Sequence, residues 1–122
     1  MKMTIGEISE KTNLPESTLR YYEKMKLIKV IRDKNGRRDY ADSDVEWIKF
    51  IRRLKETGML LKDIQQYSEL RYMGDSTMPE RISILRLHRR YVLEQQRKWN
   101  GYLQNLDEKI QYYEQSIKLQ NT

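Results

Sequence analysis

The 122 residues are 34% charged and 38% hydrophobic, so the chain can enclose only one small core, and help from a partner chain is expected. There is no cysteine and no apolar run of bilayer length, which excludes disulfides, thiol redox switches and thiolate metal sites and leads to the expectation of a soluble, cytoplasmic protein without a membrane role. The net charge is +6, and residues 17–38 account for all of it: Arg20, Lys24, Lys26, Lys29, Arg32, Lys34, Arg37 and Arg38 stand against Glu23 and Asp33, a density that fits a polyanion and points first to double-stranded DNA.

Thr4, with Glu7 three residues on, has the spacing of a capping box, and Ile5 and Ile8 supply an apolar stripe, so a short first helix is predicted. Asn13 tolerates a tight turn, and Pro15 suits the first position of the next helix. In that second helix Leu19 and Tyr22 share a buried side, while Thr18, Arg20 and Tyr21 point elsewhere with hydroxyl and guanidinium donors. Two short helices joined this way, the second rich in phosphate donors, make a helix-turn-helix.

After Leu27-Ile28 the run Lys29-Val30-Ile31-Arg32 is extended in character, Asp33-Lys34-Asn35-Gly36 signals a hairpin, and Arg37-Arg38-Asp39-Tyr40 returns. A basic hairpin placed there reads as a wing whose arginines reach flanking backbone or minor groove; an ordinary surface hairpin with charged edges is the alternative. A third helix is expected to be capped by Asp42 or Ser43, with Val45, Trp47, Ile48, Phe50, Ile51 and Leu54 central to the core. Thr57-Gly58 ends it, and a fourth helix begins near Lys62.

Residues 72–79 read as a turn-rich linker, and Pro79 suits the start of the last helix. From there Ile82, Leu85, Arg89, Val92, Gln96, Trp99, Leu103, Leu106, Ile110, Tyr113 and Ile117 recur in alternating steps of three and four, a heptad seam in which only Arg89 and Gln96 are polar. At about 1.5 Å per residue such a helix is roughly 60 Å long. Its seam needs a second chain; the alternative, an intramolecular hairpin, has only Gly101 as a turn candidate, and Gly101 leaves the phase unbroken.

Leu19-Arg20-Tyr21-Tyr22-Glu23, Leu27-Ile28 and Gly36-Arg37-Arg38-Asp39-Tyr40 together resemble the signature of the MerR family of winged-helix bacterial transcription regulators, and the order of segments matches over nearly the whole chain. The resemblance implies a mainly α fold, with a winged helix-turn-helix head followed by a long C-terminal helix that forms an antiparallel dimeric coiled coil, Arg89 and Gln96 specifying its register. It further implies a homodimer that binds an inverted repeat in a promoter, bending and untwisting the DNA to realign it for RNA polymerase. The corresponding organisation is a DNA-binding domain over 1–72, a linker over 73–78, a dimerisation helix over 79–118 and a tail over 119–122. Three positions depart from the family pattern. Lys26 stands where a glycine usually ends the recognition helix, Val30 replaces a usual proline, and Leu60 replaces a small polar cap. The first demands a left-handed cap or a different exit angle.

Ser17, Thr18, Arg20, Tyr21, Tyr22, Lys24, Arg37, Arg38, Tyr40 and Lys62 are the expected DNA contacts. Thr18 and Arg20 are assigned to base edges, and Tyr21, Tyr22, Arg37, Arg38 and Lys62 to the backbone, Lys62 by the resemblance. Trp47, Tyr67, Tyr72, Met73 and Trp99 are the candidates for holding an apolar or aromatic small-molecule effector, with ordinary packing as the alternative. His88, the single histidine, falls at heptad position g without cysteine or another histidine nearby, so no metal site is expected, and no cofactor. Neither a phosphate loop nor a nucleophile elbow appears, so no enzyme is expected. The chain given ends close to the seam, from which no separate effector-binding domain is expected. A reading from another class stays open at this point: an architectural DNA-binding or coiled-coil adaptor protein without direct control of transcription.

Overall fold

Thr4 accepts the Glu7 amide at 3.1 Å while the Glu7 carboxylate accepts the Thr4 amide at 3.2 Å, and this reciprocal cap opens the first helix of the computed structural model, which describes residues 2–121. The elements are β1 (Lys2–Met3), α1 (Ile5–Thr12), α2 (Glu16–Lys24), β2 (Ile31–Arg32), β3 (Arg38–Ala41), α3 (Asp42–Glu56), α4 (Leu61–Met73), a 3-10 turn (Asp75–Thr77) and α5 (Met78–Gln120). They divide into two compact units, Met1–Ile84 and Leu85–Thr122. The fold is mainly helical, as the pattern predicted.

Within the first unit, Ile8 of α1, Leu19 and Tyr22 of α2, Ile48 and Ile51 of α3 and Ile64 of α4 are fully or almost fully buried around a shared centre. Burial of each such side chain contributes about 1.5–3 kcal/mol before the entropy of ordering is counted. The three-stranded antiparallel sheet runs β1-β3-β2, with Met3 opposite Tyr40 and Ile31 opposite Asp39. β1 has only two residues and no periodicity for a sequence reading to find; it forms because the chain enters beside the free edge of β3.

The wing turn is built by Asp33. Its backbone carbonyl accepts the Gly36 amide at 3.0 Å, and its Oδ1 accepts the amides of Asn35 (2.8 Å) and Arg37 (3.0 Å). Gly36 closes the turn at φ 77°, which only glycine enters without steric cost.

Boundaries differ from expectation in three places. Pro15 is the residue before α2 rather than its first, holding an extended ψ of 149°. Ala41, not Asp42 or Ser43, precedes α3, and its amide is capped by the Asp44 carboxylate at 2.9 Å. Helix α4 runs on to Met73, so the segment read as a linker shortens to Gly74 and one 3-10 turn. Thr77 makes that turn tight: its hydroxyl donates to the carbonyls of Leu70 and Gly74, and Arg81 donates to Thr77 and to the Gly74 carbonyl.

In the second unit α5 continues without a break to Gln120, and none of its residues is buried. Trp99, Leu103, Leu106, Ile110, Tyr113 and Ile117 are each more than half exposed, so the apolar seam read from the spacing is present and uncovered.

Candidate nucleic-acid interface

Helix α2 follows α1 through a turn that the sequence holds at three points. Asn13 takes the left-handed conformation at φ 56°, the Leu14 amide donates back to the Ser9 carbonyl at 3.2 Å, and the Ser9 hydroxyl donates to the Leu14 carbonyl at 2.5 Å. Leu14, buried beneath, anchors the turn to the core. With Leu19 and Tyr22 facing inward, Ser17, Arg20, Tyr21 and Lys24 fall at i, i+3, i+4 and i+7 on the exposed face, with Thr18 half-buried beside them. A helix about 10–12 Å across, carrying a row of hydroxyl and cationic donors, matches a major groove about 12 Å wide.

Lys26 resolves its departure from the family pattern by strain. It sits at φ 61°, and the amides of Lys26 and Leu27 donate to the carbonyls of Glu23 (3.0 Å) and Tyr22 (2.9 Å), the paired bonds of a Schellman cap normally closed by glycine. From that cap the chain crosses to the wing, and the third and fourth helices grip the crossing. The Leu27 carbonyl accepts from Trp47 Nε1 (3.2 Å) and from the Ser68 hydroxyl (2.6 Å). The Met25 carbonyl accepts from Gln65 (2.9 Å), and the Lys29 amide donates to the Tyr72 hydroxyl (3.0 Å). These four bonds fix where the recognition helix stops and the wing begins.

Glu23 ties the two together from the other side. One carboxylate oxygen meets Arg38 Nε at 2.7 Å and the other meets Arg32 at 3.2 Å, so the last turn of α2 holds both strands of the wing. Arg38 therefore acts as a positioning group within the head. Arg37 is exposed on the wing, and Lys62, second residue of α4, is exposed near that helix's amino end, where the backbone amides add positive character. Arg20 pairs across one turn with Glu16 at 3.3 Å, an exposed contact that a phosphate or base edge can displace.

Two residues expected at the interface lie in the core instead. Tyr22 is 2% exposed and Tyr40 1%, so neither presents a side-chain face to a ligand. Burial pushes both hydroxyls above the usual tyrosine range, opposed by the nearby Arg52 and Arg38 respectively. The Tyr40 hydroxyl has no hydrogen-bond partner among the described residues.

Of the residues expected to hold an effector, Trp47, Tyr67, Tyr72 and Met73 lie in the first unit in different surroundings. Trp47 stacks on Tyr67 at 5.7 Å and lies 4.6 Å from the Arg71 guanidinium; both rings are core, and Trp47 is committed to the crossing just described. Met73 is 66% exposed, and Trp99, 69% exposed, belongs to the other unit. Tyr72 borders a cleft of about 690 Å³, lined also by Lys24, Lys26, Lys29, Gln65 and Glu69. Sequence reasoning missed Lys55 of α3, whose ammonium lies 4.8 Å from the Tyr21 ring centre and steadies that ring beside the recognition face. The Arg52-Arg53-Leu54-Lys55 run was a readable signal for it.

A family model described as MerR HTH family regulatory protein matches residues 3–70, and one described as MerR, DNA binding, matches 45–109. The chain belongs to the MerR family. An uncharacterised HTH-type transcriptional regulator of Haemophilus influenzae is 35% identical over 98% of this chain and 89% of its own length. Among solved structures, HiNmlR, described as a MerR family regulator lacking the sensor domain and bound to promoter DNA, superimposes with a TM-score of 0.82 at 35% identity, covering 94% of this chain and 92% of that one. A MerR family transcriptional regulator from Listeria monocytogenes gives a TM-score of 0.86 at 30% identity over 92% and 86% of the two chains. This MerR protein is accordingly a DNA-binding transcription regulator, not an enzyme. Among its described residues there is no helix long and apolar enough to cross a membrane and no cluster of metal-ligating side chains.

Proposed function

We propose that this MerR protein acts as a homodimer on a promoter inverted repeat, one head per half-site, and controls transcription by distorting the DNA between them for RNA polymerase. The observation that carries this reading is the presence in one chain of a donor-rich recognition face and of an apolar seam along α5 that stays exposed among the described residues. Arg20 and Thr18 approach base edges; Tyr21, Lys24, Arg37 and Lys62 contact phosphates and set register. That a solved relative at 35% identity is bound to promoter DNA supports a promoter as the target.

Two heads joined by a stiff helix pair fix a separation, and DNA whose half-sites do not match it must bend or twist to fit. Replacing Leu103 and Leu106 with Asp puts charge into the seam and is expected to yield monomers by sedimentation, with operator affinity reduced at least a hundredfold. A variant that stays dimeric, or a monomer with undiminished affinity, contradicts the proposal.

A further inference from the structure

Between the end of α2 and one face of α4 lies the cleft of about 690 Å³, a volume that suits a small molecule. We propose that it is a regulatory site for a small phosphate monoester, a dianion carried on an apolar or aromatic body, and that its occupancy releases the protein from DNA. The binding half stands on the geometry of the head itself; the release half rests on the docking of α2 proposed above.

One wall comes from the recognition helix and its exit: Lys24 in the last turn of α2, Met25 and Lys26 in its cap, and Lys29 on the crossing. Gln65, Ser68, Glu69 and Tyr72, at i, i+3, i+4 and i+7, set one stripe of α4 opposite. The three lysines and Glu69 are exposed at the rim, whereas Met25, Gln65 and Tyr72 are half-buried and Ser68 is buried.

Three ammonium groups against one carboxylate leave two positive charges. None of these four groups forms an ion pair among the described residues, so each lysine keeps its donors for a ligand. A phosphate monoester brings about −1.5 to −2 charges near neutrality and three terminal oxygens, which lysine binds as a point charge. The Tyr72 ring, 5.2 Å from the Lys29 ammonium, and Met25 supply an apolar wall for the rest of the molecule. The Tyr72 hydroxyl accepts the Lys29 amide at 3.0 Å and donates its own proton to none of the described residues.

A helix carboxyl end ordinarily repels an anion, yet here its carbonyls already have donors. Those of Tyr21, Tyr22 and Glu23 accept the amides of Met25, Leu27 and Lys26, and those of Met25 and Leu27 accept from Gln65, Trp47 and Ser68. A duplex can touch the rim at Lys24, but its backbone is too bulky to reach buried Ser68 and offers one charge per phosphate. Lys24 is therefore shared between the DNA face and the cleft. A dianion bound there takes that cation from the duplex and sets negative charge beside the recognition face, so ligand and operator each weaken the other by the same factor.

Calorimetry on the full chain at constant ionic strength is expected to give phenyl phosphate a dissociation constant below about 1 mM, with dimethyl phosphate, the singly charged mimic of the backbone, at least roughly tenfold weaker. K29M removes one charge and should weaken phenyl phosphate about fivefold, while E69Q should tighten it about threefold, a gain that damage to the fold does not produce. Saturating phenyl phosphate should lower affinity for a duplex selected from a random library about fivefold or more, each variant being compared with its own unliganded affinity. No binding of phenyl phosphate in the millimolar range, equal affinity for the two phosphates, or K29M and E69Q both binding as the wild type does, overturns the site. Undiminished duplex affinity at saturation overturns the release. A chain that selects no duplex overturns the docking reading and the release with it, and the calorimetry still decides the site.

Discussion

Lys26 offers a measurable consequence of the strained exit from the recognition helix. A residue with a Cβ in the left-handed region costs about 1–2 kcal/mol, and glycine gives back about 0.4–1 kcal/mol of that through its larger unfolded-state freedom. With φ at 61° and both Schellman bonds already formed, Lys26→Gly needs no rearrangement, and a net gain of about 0.5–1 kcal/mol is expected. Lys26→Ala removes the same charge and keeps the strain, so the difference between the two variants isolates the backbone. Thermal unfolding at one fixed protomer concentration should place the glycine variant about 2–6 °C above the alanine variant. Both lose one cation from the basic face and should weaken equally for non-specific duplex. An alanine variant as stable as the glycine variant would refute the assignment of strain at this cap.

Three further outcomes follow from the site. Arg20→Ala should relax sequence preference, while Lys62→Ala weakens all duplexes alike; equal discrimination ratios in competition gel shifts count against that division. Ser68→Ala leaves the Leu27 carbonyl with Trp47 alone and should cost about 1 kcal/mol by urea unfolding, with a loss of operator affinity larger than that of non-specific affinity; loss of stability without loss of specificity would show that the crossing does not position the recognition helix. Because the folded state raises the Tyr40 pKa above 10.0, stability is retained below that pH and lost as pH rises through the folded value. Tyr40→Phe should therefore flatten the alkaline decline at little cost near neutrality, and an unchanged decline excludes this hydroxyl as its source.

Much of the fold was legible because its signals are local. The Thr4 and Glu7 cap, the Gly36 turn, the Gly58 helix end at φ 89° and the uninterrupted seam each depend on residues within a turn or heptad of one another. The interface was less legible where pattern and burial conflicted. Leu19 and Tyr22 share an inward face by spacing alone, yet Tyr22 also sits inside the family signature; the core placement holds because the ring is only 2% exposed. The grip on Met25, Leu27 and Lys29 by Gln65, Trp47, Ser68 and Tyr72 was invisible, since each bond spans 20–43 residues and one partner in each is a backbone group. That same grip holds Trp47, and Tyr67 stacks on it, which is why the two rings, attractive as an aromatic pocket in the sequence, are packing residues.

In vitro selection from a random duplex library at 0.15 M salt, followed by titration of the selected duplex for stoichiometry, tests the central claim most directly. The expected result is an enriched inverted repeat of fixed half-site spacing bound by two chains per duplex, with scrambling of one half-site lowering affinity at least a hundredfold. Enrichment of a single unpaired motif bound by one chain, or no enrichment at all, would contradict it.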